Sequence, residues 1–423
     1  MDMDPNEPAA SGTIRSLNRS LVLDAIRRGG PTSRAGLARA LGMAKPTVSD
    51  IVAGLVAEGV VREGPITRRG GPRPGRPGRP PVVLDIDERH AYVLGIHLGV
   101  HDTTVALADA AGGEVSRRRI PTPHLPAEEA LREVGALARE VVVRAGIPRR
   151  RLAAASVCLP GQVDIDTGTC VHAPNLGWRD VPVVGLLGAA LGVPVHAHNT
   201  VQATAVAEHA EGSARGARTV ALVYAGTGVG AAILHDGILF RGAAGLAGEL
   251  GHAVIPGLDA RCSCGRHGCV ETAASASSVA RAARDAVRTG SPTRMAALGD
   301  GVTSLDVYAA AEAGDTLGQA LLGEAGRTLG IAASWLVNIV NPDVLVLAGG
   351  LVGAGPHVID PFRAALDGHA AAGALARLQL RTWSLGQDAK VRGAVLLALA
   401  RTQPSVRVAV TGGQSSPTGR IGP

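Results

Sequence analysis

Aromatic side chains are scarce, at 2% of the 423 residues. A core must therefore be packed from Ala, Val, Leu and Ile, and at this length two or three domains are expected. No apolar run reaches the roughly eighteen residues of a membrane span. The first ten residues are acidic and polar, unlike a secretory signal. Of the five cysteines, Cys158 and Cys170 stand apart while the others crowd together, which gives no disulfide framework and fits a reducing, cytoplasmic setting. Lysine is nearly absent: only Lys45 and Lys390 occur, a bias that reads as codon usage.

The positive charge is unevenly placed. Residues 1–80 hold 13 Lys and Arg against 7 Asp and Glu, a net of +6, and the remainder holds 29 of each. A basic head on a neutral body points to a head that meets a polyanion. Residues 1–12 read as a disordered N-terminus. A winged helix-turn-helix is expected over 13–63. Its first helix covers about 14–28, with Leu17, Leu21, Val22 and Ile26 on one face. Its second opens at Thr32 or Ser33 and stops at Gly42. The third carries Pro46 in its first turn and Val48, Ile51, Val52, Leu55 and Val56 as a buried stripe. Arg34, Lys45, Thr47 and Ser49 are the candidate DNA contacts, the last three on the exposed start of a recognition helix. A strand near Val61 begins the wing.

Residues 64–81 contain five arginines, no acid after Gly64, and repeated Gly-Arg-Pro. This basic segment is expected to be a linker. It serves either as a solvated hinge or as an arm that lays Arg73, Arg76 and Arg79 into a minor groove. From Tyr92 the pattern changes to strands, and it runs as meander, helix, strand, helix. A second meander starts at Thr219 and leads through a long helix at 317–340 to a strand at 344–347. Such a duplication describes the two-lobed, actin-like ATPase fold, an α/β body over 82–402 with its ligand cleft between the lobes. Residues 403–423, rich in Ser, Gly and Pro, read as a disordered tail.

The densest chemistry lies at 248–271. Cys262, Cys264 and Cys269 form a Cys-x-Cys-x4-Cys run with His252 upstream, a donor set for tetrahedral Zn²⁺ in a structural role, with His267 as a rival fourth ligand. Glu249 and Glu271 bracket this run and are placed to accept hydrogen bonds from hydroxyls.

These features together resemble the ROK family of repressors, open reading frames and sugar kinases. The specific markers are Glu-x-Gly-His at 249–252 and Cys-x-Cys-Gly-x2-Gly-Cys-x-Glu at 262–271. Pro160-Gly161, Pro-Asn-Leu-Gly-Trp at 174–178, Gly-Thr-Gly-Val-Gly at 226–230 and Ala-Gly-Gly-Leu at 348–351 support them. The resemblance implies that Asn199, Glu249, His252 and Glu271 contact a sugar, with His252 also a zinc ligand. Two departures bear on activity. Thr200 replaces the kinases' catalytic Asp, and His97-Leu98-Gly99-Val100-His101 replaces Asp-x-Gly-Gly-Thr. A threonine is no general base near neutral pH, so no catalytic residue is assigned. The expected protein is a sugar-responsive transcriptional regulator, a repressor binding a palindromic operator on double-stranded DNA as a homodimer or homotetramer, with a monosaccharide effector and no membrane contact. The alternative is an ATP-dependent, glucokinase-like sugar kinase with an appended DNA-binding head.

Overall fold

The computed structural model of the chain describes residues 18–19, 21–23, 25–26, 32–64 and 82–402. The expected disordered termini and Arg73, Arg76 and Arg79 lie outside the described residues.

The head is a helix-turn-helix with a wing. Helical backbone is present at 21–23, where Val22 and Leu23 are buried. Ser33 caps the next helix, Arg34–Leu41, by accepting from the Gly36 N–H, and Gly42 ends it at φ 63°. The helix Lys45–Ala57 has Pro46 in its first turn and buries Val48, Val52 and Leu55. The wing corrects the expected boundaries. Strand Val61–Gly64 pairs antiparallel with Val83–Ile86, and Leu84 and Ile86 are buried in the head's own core. Residues 65–81 therefore connect two strands of one wing rather than two domains, and the head extends past 82. The Gly- and Pro-rich composition hid this, because a hairpin is ordinarily signalled by a short turn.

The body has two five-stranded sheets of matching topology. In the first, Tyr92–Leu98, Asp102–Asp109 and Glu114–Pro121 form an antiparallel meander. Leu152–Leu159 then adds parallel to Tyr92–Leu98, and Val195–Asn199 adds parallel beyond it. In the second, Thr219–Ala225, Val229–His235 and Ile238–Leu239 form the meander, and Val344–Ala348 and Gln379–Thr382 add in parallel. Tyr92–Leu98 is buried along its whole length, as a strand covered on both faces must be. The expected duplication is present. A small sheet of Gln162–Asp164, Thr169–Ala173 and Trp178–Val181 was not expected.

Two helices join the lobes, Thr200–Ala210 and Asp388–Thr402. They cross where a Cβ on Gly393 would sit 1.9 Å from the Ala203 carbonyl oxygen, so only glycine permits the approach. Among the described residues no helix is long and apolar enough to cross a membrane.

Candidate ligand cleft and metal centre

Between the lobes lies a cleft of about 640 Å³. Its walls are the ends of the strands, the turns that follow them, and the first residues of both joining helices. The Glu249–His252 turn reaches it because Gly248 and Gly251 lie flat on strand Val229–His235. A Cβ at Gly248 would meet the Ala231 oxygen at 2.0 Å, and one at Gly251 the Val229 oxygen at 2.2 Å. Ala231 N–H donates to the Gly248 carbonyl at 2.7 Å. The glycines of this motif are thus required by backbone approach, and they fix the direction of the side chains between them.

Glu249, His252, Asn199 and Glu271 all line the cleft. Glu249 Oε2 accepts from Gln162 Nε2 at 3.4 Å and lies 3.6 Å from His252 Nε2. Burial holds the Glu249 carboxyl above its ordinary range, and the neighbouring charge of Glu271 adds to this. Glu271 Oε2 accepts from the Val229 N–H at 2.9 Å, which ties one of its oxygens to the Gly226–Val229 turn. Asn199 is committed further. Its Oδ1 caps the helix Thr200–Ala210 through Val201 N–H at 2.6 Å, and its Nδ2 donates to the Gly161 oxygen at 2.6 Å. It fixes the Pro160-Gly161 loop against the helix and has only its remaining lone pair and N–H to offer a ligand.

The thiols gather beside these acids. Ligand atoms of His252, Cys262, Cys264 and Cys269 all lie within 4.8 Å of one another and can hold a metal ion. Cys264 Sγ is 3.7 Å from Cys269 Sγ, and His252 Nδ1 is 3.6 Å from Cys262 Sγ. A tight turn shapes the loop, with Cys262 N–H donating to Arg266 O and Gly265 N–H to Cys262 O. Burial, with Cys264 and Cys262 alongside, pushes the Cys269 thiol up to about 12, a direction that a bound divalent cation reverses. The rival ligand His267 is exposed and turns its Nδ1 to the Asp259 oxygen at 2.8 Å, away from the cluster. His252 faces both ways, Nδ1 to the thiols and Nε2 to Glu249.

At the two positions of departure, Thr200 opens its helix with Oγ1 buried and without a partner, and His97 sits 5% exposed at the cleft. Burial, then the nearby Lys390, pushes His97 down to about 3, so the ring is neutral. Lys390 was missed as a site residue. Its rarity was the available signal, since the chain's only other lysine is on the recognition helix.

On the head, Lys45 and Thr47 are exposed and Ser49 is half-buried at the start of their helix. Arg34 instead pairs with Glu63 of the wing at 2.5 Å. It braces the wing against the helix, and such a surface pair is weak enough to exchange for a phosphate.

Comparison with known proteins adds the following. Residues 93–401 match the model of the ROK family, and residues 15–70 that of the MarR family. The chain is 28% identical over 393 residues to the xylose repressor of Caldicellulosiruptor bescii, covering 92% of this chain and 96% of that one. It is 37% identical over 238 residues to a glucokinase of Halalkalibacterium halodurans, covering 55% and 72%. The solved structure of a ROK family transcriptional regulator, described as a homolog of the E. coli MLC protein, superposes with a TM-score of 0.80 at 24% identity, covering 93% and 98%.

Proposed function

The chain belongs to the ROK family, and on that footing we propose that it is a sugar-responsive DNA-binding regulator, a repressor, whose body binds a monosaccharide and does not transfer phosphate. The observation that carries this reading is a shared core. Ala110, in the turn between two strands of the first lobe, is buried in the head's hydrophobic cluster with Val22, Leu55 and Leu84. Its N–H donates to Glu88 O, just beyond the wing. Two residues on, the Gly112 oxygen accepts from Arg392, which belongs to the joining helix whose first turn lines the cleft. A change of angle between the lobes therefore has a mechanical route to the seat of the head.

The sugar would be held by Glu249, Glu271, His252 and Asn199. Hydroxyls would donate to the carboxylate oxygens, and the cluster would keep the Glu249–His252 turn in place. Three thiolates and an imidazole suit Zn²⁺ better than a hard cation. With Zn–S bonds of about 2.3 Å, a tetrahedral edge is about 3.8 Å, close to the 3.7 Å between Cys264 and Cys269. Four protein donors leave no open position, so zinc would act structurally. Thr200 offers no base and His97 no magnesium ligand, which argues against phosphoryl transfer.

The head would bind a two-fold operator as a homodimer in the cytoplasm, with the helix Lys45–Ala57 in the major groove and Lys45, Thr47 and Ser49 at its start. Arg73, Arg76 and Arg79 would contact the minor groove. The sugar must bind the two conformations unequally, since equal affinity shifts nothing. Fluorescence anisotropy at fixed salt, on labelled DNA from upstream of the gene, tests this with a panel of monosaccharides and no ATP. Tight binding relieved by one sugar is expected. ATP-dependent phosphorylation of that sugar would overturn the non-enzymatic reading.

A further inference from the structure

At the edge of the first lobe's sheet away from the cleft, a group of arginines stands beside the head. Strand register fixes the place. Leu152 and Asp109 lie on either side of Tyr92, so Arg151 and Ala110 end up on the same edge. The stretch 144–151, Arg-Ala-Gly-Ile-Pro-Arg-Arg-Arg, contains no acid. Its last three residues, Arg149–Arg151, form a 3₁₀ turn that is anchored on both sides. Arg149 Nη2 donates to the Leu191 oxygen at 3.0 Å and lies over Gly192, where a Cβ would meet it at 2.3 Å. Arg151 Nη1 donates to the Arg89 oxygen at 3.2 Å. Arg150 between them is exposed, and so is Arg89.

Other arginines of this lobe are matched to acids. Arg117 pairs with Glu114 at 2.7 Å, Arg119 with Asp102 at 2.9 Å, and Arg118 and Arg144 share Glu140. Arg89, Arg149, Arg150 and Arg151 pair with no described carboxylate. The acids next to them in the chain are Asp87 and Glu88, and Asp87 Oδ1 accepts from the Arg89 N–H at 3.0 Å. The four arginines and these two acids leave a local net of +2. The head lies against the same corner. Ala110 is buried in its cluster and donates its N–H to Glu88 O, while Asp87 N–H donates to Val60 O, in the turn after the helix Lys45–Ala57. From Val83 on the wing strand to Arg89 the chain spans at most about 20 Å. That is less than one turn of duplex, about 34 Å.

We propose that this corner of the body is an accessory DNA surface, in which Arg89 and Arg150 hold the phosphate backbone of the duplex flanking the sequence that the head reads. It rests on the reading that the head binds DNA. The guanidinium fork suits a phosphate, and an exposed arginine with no acid partner gives up nothing to meet one. Arg117, Arg118 and Arg119 would each first have to release a carboxylate. Arg149 and Arg151 are tied to backbone oxygens, so they set the turn that presents Arg150. Contacts of this kind position the duplex and carry no base information.

The test is fluorescence anisotropy with the full-length protein at fixed salt and two labelled duplexes from upstream of the gene. One is trimmed to the shortest length that the native protein binds, and the other adds about ten base pairs, one helical turn, on each side. In the native protein the added DNA is expected to tighten binding by about tenfold. Arg89→Gln combined with Arg150→Gln should remove that gain and leave affinity for the short duplex within about twofold. The salt slope on the long duplex should fall by about two, and the slope on the short one should stay the same. Arg89→Lys combined with Arg150→Lys should keep most of the gain, because a phosphate also accepts a point charge. Exchanging the flanking sequence should not alter it. A short duplex that binds while the added DNA gives nothing overturns the proposal and leaves the head's DNA binding standing. In that case polyglutamate bound by the native protein and not by the Gln variant assigns the corner to an acidic protein instead. A gain that survives in the Gln variant also overturns the proposal. So does equal weakening on both duplexes, which makes the arginines a support for the head's seat. Failure of the native protein to bind either duplex overturns it together with the reading on which it rests.

Discussion

The two lobes repeat one topology and differ in the chain around the third strand of each meander. In the first lobe that strand, Glu114–Pro121, is eight residues long and carries Arg117, Arg118 and Arg119. The turn before it places Ala110 in the head's core. In the second lobe the third strand stops after the two residues Ile238–Leu239, and the chain goes on into the Glu249–His252 turn and the thiol cluster. The common parts build a cleft, and the unequal parts determine what the cleft meets on each side. The second lobe adds Glu249, Glu271 and the thiol cluster to the cleft that both lobes line, and the first lobe adds the seat for the head.

The largest effect is expected where the lobes share a dependence. Gly393→Val would drive a side chain into the Ala203 backbone at the crossing of the joining helices. Overpacking against backbone that cannot yield costs about 3 kcal/mol, so thermal denaturation should show a clear drop in Tm, with ligand and DNA binding both impaired. A Gly393→Val protein that melts like the native one would mean that this crossing does not hold the lobes together. A one-sided change comes next. Cys264→Ser should remove the metal, read as ions per chain by elemental analysis, and should lower sugar affinity by about tenfold or more. DNA affinity should stay within about twofold, because the cluster lies wholly on the second lobe's side of the comparison. Loss of DNA binding along with the metal would make the cluster a support of the whole fold.

The sequence made the repeated parts legible and the unequal parts much less so. Strand alternation and Gly turns located both meanders, because half-buried and fully buried strands differ sharply from the polar turns around them. The small sheet at 162–181 was not legible, since its strands are three to five residues long and show no sustained period. The wing strand Val83–Ile86 follows a Pro-rich run that resembles a linker. The helix Asp388–Thr402 is buried on most sides, so it lacks the amphipathic stripe that marks a surface helix. For the candidate site, Glu249, His252, Glu271 and the three thiols stand out in the sequence because a motif's close spacing survives in one dimension, and the fold gathers them at or beside the cleft. Lys390, His97 and Arg392 act through contacts separated by most of the body in sequence, and only the fold brings them together.

Lys45→Ala sharpens the comparison from outside the body. Lys45 is exposed at the start of the recognition helix and contacts neither lobe's cleft. Losing one phosphate contact should weaken operator binding by about 1–2 kcal/mol and lower the salt slope by about one. Titration with the sugar should be unchanged. A simultaneous loss of sugar affinity would show that the head and the cleft are less separable than their cores suggest.

The smallest effect should fall on the link between the two regions and should appear in neither one measured alone. Arg392 holds Glu211, at the end of one joining helix, through two hydrogen bonds of 2.6 Å, and it donates a third to Gly112 O beside the head's seat. The planar guanidinium meets both partners at once, which a lysine ammonium on one flexible stem does not reproduce. Glu211 holds the Arg392 charge firmly in place, raising its pKa above the ordinary guanidinium value. Arg392→Lys should therefore leave sugar affinity and DNA affinity each within about twofold while reducing the coupling between them by about 1 kcal/mol, a fewfold change in how far the sugar lowers DNA affinity. Reciprocity gives an internal check, because the operator must then lower sugar affinity by the same reduced factor. If coupling survives unchanged, the route from cleft to head runs through the wing side of the first lobe and not through this helix. If both affinities fall together, Arg392 is a support of the fold and not a link within it.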